Sequence, residues 1–153
     1  SDGHKGIQKA VEKSFLGASW QMCHVHFSRA VLRNVAKKYH KEIADKIKIA
    51  LEDEIKMQDL AEELRERGYS KSADTIDRFR FSLWNYRAFP RDHWRRIRTT
   101  NGLERINKEL KRRTRVVGAF PSENSFMRLG VSVLIDINEE WLTAKKYLSM
   151  DAD

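Results

Sequence analysis

The stretch His93–Arg115, HWRRIRTTNGLERINKELKRRTR, decides the class of this chain. It has the pattern of the start of a long helix. Asn101 is an N-cap candidate, and Glu104 stands three residues later, where a capping-box acid belongs. Leu103, Ile106 and Leu110 recur at spacings of three and four, with Val117 two turns further on, so one face is apolar. Most other positions are cationic. Arg95, Arg96, Arg98, Arg105, Lys108, Lys111, Arg112, Arg113 and Arg115 make nine cations against two acids, Glu104 and Glu109. The difference, +7, is nearly the whole +8 of the chain. Like charges three and four residues apart repel by about 0.2–0.5 kcal/mol per pair, and an isolated surface helix would alternate signs. The pattern therefore points to a face that grips a phosphate backbone; a merely solvated face is the alternative.

The bulk numbers agree with that direction. A chain of 153 residues suits one domain. Charged residues reach 34% and the sequence pI is near 9.7, which favours an anionic partner, nucleic acid first and membrane surface second. A basic protein with no such partner is the plain alternative. The lone cysteine, Cys23, excludes an internal disulfide framework and fits a reducing compartment. No apolar run approaches the roughly 18 residues of a membrane span. The opening Ser1-Asp2-Gly3-His4-Lys5 does not read as a signal peptide. It lacks an initiator Met, as in a processed chain or a piece of a longer one.

Outward from the basic stretch, almost everything reads as helix. A first helix runs from Lys5 with Ile7, Ala10, Val11 and Phe15 on one face and Gly17 as its stop. Ser19–Phe27 alternates with a period of two, placing Cys23, Val25 and Phe27 on one face, so a short strand is expected near residues 20–27. Ser28 could cap the next helix. Runs follow from Tyr39 to about Leu51, from Glu54 to Arg67 with Gly68 as stop, and from Ser70 or Ser72 through Phe79 and Leu83 to Tyr86. Pro90 breaks that last run, and a short turn around Arg91–Ile97 leads to the basic helix, which Gly118 ends. A last helix starts at Pro121-Ser122 and carries Phe126, Leu129, Val133 and Ile137 on one face, continued by Trp141, Leu142 and Tyr147. The aromatics are spread over the helices and read as core. The expected fold class is mainly α, with at most one or two short strands.

Three features bear on chemistry. Cys23 and His26 form a C-x-x-H pair at zinc-ligand spacing, but a structural zinc site needs four ligands and no second Cys exists; a buried thiol beside a packed histidine is the plainer account. Asp2, before Gly3, is either a turn aspartate or a metal-binding acid at a strand end. Glu104 serves as a capping acid or as a second such ligand.

Four segments carry a family resemblance: SDGHKGI at the start, SWQMCHVHFSR, AFPRDHWRRIRTTNGLERINKELKRRTRVVGAFPSE, and the closing W-x5-YLSM from Trp141 to Met150. The sequence resembles the mutator-type DDE transposases of bacterial insertion sequences, and corresponds to a C-terminal fragment that begins at the second catalytic Asp. The likeness runs end to end, with about Phe27 to Phe89 its least distinctive part. It implies an enzyme that cuts and joins DNA with two Mg²⁺ (or Mn²⁺) ions held by three acids on an RNase H-like fold. Asp2 would be the second acid and Glu104 the third, with Cys23 and His26 a family signature between them. Residues 1–26 would be a residual RNase H-like part, about 27–98 an all-helical insertion, and about 99–153 C-terminal helices carrying the third acid. The first catalytic Asp lies upstream of the S-D-G-H segment and is absent from this chain. The fragment alone is then expected to bind metal weakly and not to cleave DNA. The partners implied are transposon ends and target DNA, with a homo-oligomer in the full-length protein, no membrane, and a cytoplasmic, nucleoid-associated location in bacteria. A non-catalytic DNA-binding or assembly module from a truncated or decayed element is the alternative.

Overall fold

The computed structural model describes residues 1–143 and Leu148. Eight α-helices occur among them: α1 (Lys5–Ser14), α2 (His24–Leu32), α3 (His40–Ala50), α4 (Glu54–Glu66), α5 (Ser70–Phe79), α6 (Arg91–Ile97), α7 (Asn101–Val117) and α8 (Glu123–Thr143). None of them is long and apolar enough to cross a membrane. The chain divides into two compact units, Ser1–Thr99 and Thr100–Asp153.

The first unit has the core. α4 packs against α5 and α3, and α2 against α5 and α3. Phe27 and Val31 of α2, Ile43 and Ile47 of α3, Met57 and Leu64 of α4, and Ile76 of α5 are all buried. The pairs in α2, α3 and α4 stand four or seven apart, and Ile76 stands three from the buried Ala73 and Phe79, so each amphipathic stripe faces the same interior. Asp53 caps α4 by accepting from the amides of Ile55 and Lys56. Ser72, inside α5, is fully buried, and its hydroxyl donates to the Val31 carbonyl at 2.7 Å. That bond satisfies a carbonyl near the end of α2 and fixes α5 against it.

The structure corrects the strand expected near residues 20–27. No strand occurs among the described residues. Residues 18–23 are irregular, and α2 begins at His24. The alternation reaches only as far as a partner does. The Ser1 amino group donates to Gln21 O, and Cys23 N donates to Ser1 O, which is the pattern of a parallel bridge one residue long. Met22 N then bonds to Ser82 O. The His24 amide bonds Arg98 O, a third separate partner, so no single backbone runs alongside, and from Phe27, whose amide bonds Cys23 O, the amides close on themselves as helix. The three-and-seven spacing of His24, Phe27 and Val31 wins over the period of two. Ser28 accordingly lies inside α2, its hydroxyl bonded to His24 O, and caps nothing.

Two other boundaries differ from expectation. The helix from Ser70 stops at Phe79, and short 3₁₀ turns at Arg80–Ser82 and Asn85–Ala88 carry Leu83 and Tyr86 inward. Arg91–Ile97 is a helix rather than a turn, because Pro90 supplies a fixed φ just ahead of it. Its His93 is buried, and Trp94 meets Tyr86 edge-on with ring centroids 5.4 Å apart. The expectation that aromatics are core fails at Phe15, Phe81, Phe89 and Phe126, which are exposed. The apolar face of α1 buries no residue at all.

The second unit is a helical pair, α7 against α8. Val133 is its only described residue that is fully buried, at 1% exposure, while Leu103 of the expected apolar face is 64% exposed. Gly118 ends α7 at φ +73°, a conformation in which a side chain is strained. Phe120 stacks edge-on against Phe126 at 5.3 Å across the turn into α8. Of the closing pattern, Tyr147 and the YLSM residues other than Leu148 lie outside the described residues.

Candidate nucleic-acid interface

The basic run that reads as one block in the sequence is divided between the units. Arg95, Arg96 and Arg98 belong to α6 and its end in the first unit; Arg105, Lys108, Lys111, Arg112, Arg113 and Arg115 lie on α7 in the second. Glu104, Lys108, Lys111 and Arg115 fall at i, i+4, i+7 and i+11. At 100° per residue they share one stripe, spanning about 16 Å of helix. Together with Asn107 and Arg112 they line one open surface. Over such a length one strand of B-DNA places about five phosphates.

The six cations of α7 are not equivalent. Glu109 accepts from Arg112 at 2.7 Å and from Arg113 at 2.9 Å, and Arg113 also reaches Asp136 of α8 at 3.4 Å. Hydrogen bonds from Arg112 and then Arg113 pull the Glu109 carboxyl down to about 2, so it stays charged. Lys108, Lys111 and Arg115 make no ion pair with a described residue. Their charge is available to an outside anion, whereas much of that of Arg112 and Arg113 is spent inside the protein. The clamp by Glu109 was legible at spacings of three and four, although a bare charge count passes over it.

At the start of α7 the cap is Thr100, not Asn101. The Thr100 hydroxyl donates to Glu104 Oε1 at 2.8 Å, and the Glu104 amide donates to Thr100 O at 2.9 Å. Glu104 is exposed, in the first turn of a helix of 17 residues. There the helix dipole favours a negative charge, and the carboxylate stands one turn ahead of Lys108.

Asp2 lies in the first unit. It is exposed, and its Oδ1 accepts from the His4 amide at 3.1 Å, an Asx-type turn that leads into α1. Gly3 follows at φ +84°, where a Cβ would stand 2.9 Å from the Phe79 ring. Cys23 is a buried thiol at the N-cap of α2, and His26 is partly exposed in the first turn. Carboxylates are the ligand chemistry that Mg²⁺ takes, but among the described residues no group of three or more His, Cys, Asp or Glu side chains could hold a metal ion.

Comparison with known proteins places this geometry in a family context. The family described as Transposase, Mutator family matches residues 1–144. The chain is 33% identical to the transposase for insertion sequence element IS256 in transposon Tn4001 from Staphylococcus aureus, over 99% of this chain and 40% of that protein. It is 31% identical to the transposase for insertion sequence element ISRM5 from Rhizobium meliloti, over 99% of this chain and 39% of that protein. A shorter stretch of 63 residues, 41% of this chain and 16% of the relative, is 52% identical to the transposase for insertion sequence element IS406 from Burkholderia multivorans. The chain thus spans about 40% of the length of the first two. No solved structure matches.

Proposed function

The chain belongs to the Mutator family of transposases, and from that premise we propose that it is the C-terminal part of a DNA transposase, which cuts insertion-sequence ends and joins them to target DNA by metal-dependent phosphoryl transfer. The observation that carries this reading is the stripe on α7, where Glu104 stands in line with Lys108, Lys111 and Arg115. A carboxylate tied down in the first helical turn is rigidly placed, as a catalytic acid must be. The cations beyond it neutralise the backbone on which such an acid would act. In the full-length protein Asp2 and Glu104 are two of three acids, Mg²⁺ or Mn²⁺ is the ion they share, and the partners are transposon ends, target DNA and further copies of the same protein. Divalent ions would supply charge stabilisation of an in-line displacement at phosphorus. Residues 1–153 supply two of those three acids, and alone they bind DNA without cutting it.

The test is a nicking assay on supercoiled plasmid with Mg²⁺ or Mn²⁺, run beside a duplex-binding assay. Binding that weakens steeply with salt, with no nicking, is the expected pair of results. Nicking that disappears in Glu104→Gln would overturn the claim of inactivity, and absence of duplex binding would remove the α7 stripe from the interface. A second reading, a non-catalytic DNA-binding or assembly module, is favoured by the fact that the cationic ladder needs no metal to grip phosphate. It differs in requiring that Glu104→Gln leave the transposition of a full-length parent unchanged.

A further inference from the structure

A second basic site lies within the first unit. Residues of α2, the end of α3, the 3₁₀ turn at Asn85–Ala88 and α6 line a cleft of about 710 Å³, in the range of small-molecule sites. Four cations line it, Arg29, Lys48, Arg87 and Arg98, against one acid, Glu52. Arg29, Lys48 and Arg98 make no ion pair with a described residue, and Arg87 bonds only backbone carbonyls, of Leu51 and Glu52. The rings of Tyr86 and Trp94 also line it. Trp94 is held firmly: its Nε1 donates to Phe89 O at 2.7 Å, and its ring sits edge-on to Tyr86. Arg91 lies 5.6 Å over the Trp94 ring but does not line the cleft, so the cleft-side surface of the indole stays uncovered by it.

His24, on the same wall, titrates below its ordinary value, chiefly through burial, with Arg98 and Arg87 adding to the shift. Unpaired cations gathered round an indole are costly to hold together without an anion. A concave site of this size admits one nucleotide, whereas a stacked duplex keeps its bases out of reach. Aromatic platforms beside cationic grooves are the general means of holding an unstacked base and its phosphate.

We propose that this cleft holds one unpaired nucleotide of a DNA strand, its base stacked on Trp94 and its phosphate neutralised by Arg29, Lys48 and Arg98. The choice of DNA rests on the transposase reading; the base-plus-phosphate chemistry does not.

The experiment measures affinity of the chain for four probes by fluorescence anisotropy and competition: a 12-nucleotide oligo-dT, an abasic strand of equal length, a 12-base-pair duplex and dTMP. The wild type should prefer oligo-dT over the abasic strand by between about 5-fold and about 150-fold, the range that one stacked base supplies. Trp94→Ala should collapse that preference to near unity while leaving duplex affinity within about 2-fold, and Trp94→Phe should keep most of it. The paired change Arg29→Gln with Lys48→Gln should weaken both single strands alike and lower the salt slope by about 1.4. A wild-type preference of unity, or a preference that survives Trp94→Ala in a protein with an unchanged melting curve, overturns the proposal. If Trp94→Ala does not fold, Trp94→Phe and the paired change carry the test. Displacement of oligo-dT by dTMP at equal nucleotide concentration assigns the cleft to a free nucleotide and overturns the strand. Loss of duplex binding alone strikes the α7 interface and leaves this cleft standing.

Discussion

Removing the three unpaired cations of α7 separates a working phosphate face from a solvated one. In the variant Lys108→Ala, Lys111→Ala, Arg115→Ala, the ion pairs of Glu109 with Arg112 and Arg113 remain. All three residues are exposed, so folding stability should change by no more than about 0.5 kcal/mol per site. If each neutralises one phosphate, the slope of log affinity against log salt on duplex DNA becomes shallower by about 2.7. Between 50 and 200 mM salt the wild type should then lose about 40-fold more affinity than the variant. A companion, Arg112→Ala with Arg113→Ala, should change the slope by about 1 at most, because Glu109 already engages both side chains. The assay is anisotropy of a labelled 20-base-pair duplex at five salt concentrations. An unchanged slope in the triple variant, or a larger change in the double one, would show that this ranking of the cations is wrong.

Three further outcomes follow from the first unit. His24 is buried with its Nε2 at 2.8 Å from Leu83 O, and burial lowers its pKa below 6.5. The unfolded chain therefore takes up a proton that the fold resists, and stability is full above pH 6.5 and declines as the pH drops below it; urea melts at pH 7.5 and 5.5 should differ more in the wild type than in His24→Gln. Gly3→Ala forces a side chain into φ +84° and a Cβ to 2.9 Å from Phe79, which should cost at least about 1–2 kcal/mol in a denaturant melt, and equal stability would show that the turn relaxes freely. Ser72→Ala removes the buried bond to Val31 O, with an expected loss of about 1–3 kcal/mol, checked by the same melt.

The sequence by itself determined the helical class, the positions of α3, α4, α7 and α8, and the concentration of charge between Arg95 and Arg115. Those features follow from spacing of apolar residues and from counting, and both are properties of the chain. The family was legible too, because its motifs are runs of adjacent residues. Where the alternation at Ser19–Phe27 would give way was not legible, because a strand exists only if another backbone pairs with it, and Ser1 pairs for a single residue. Nor was the break after Phe79: Leu83 and Tyr86 are buried, as the apolar run expects, but from 3₁₀ turns beyond α5 and not from one continuous helix.

Tertiary structure alone decided which cations count. Glu109 draws in Arg112 and Arg113, and Asp136 on α8 joins them from 23 residues away. The Trp94 cleft likewise takes Arg29 and Lys48 from α2 and α3, residues that a linear reading leaves among ordinary surface charges. The physical reason is the same in both cases. A charge acts over a distance of several ångströms in space, so its neighbours are set by helix packing and not by order along the chain.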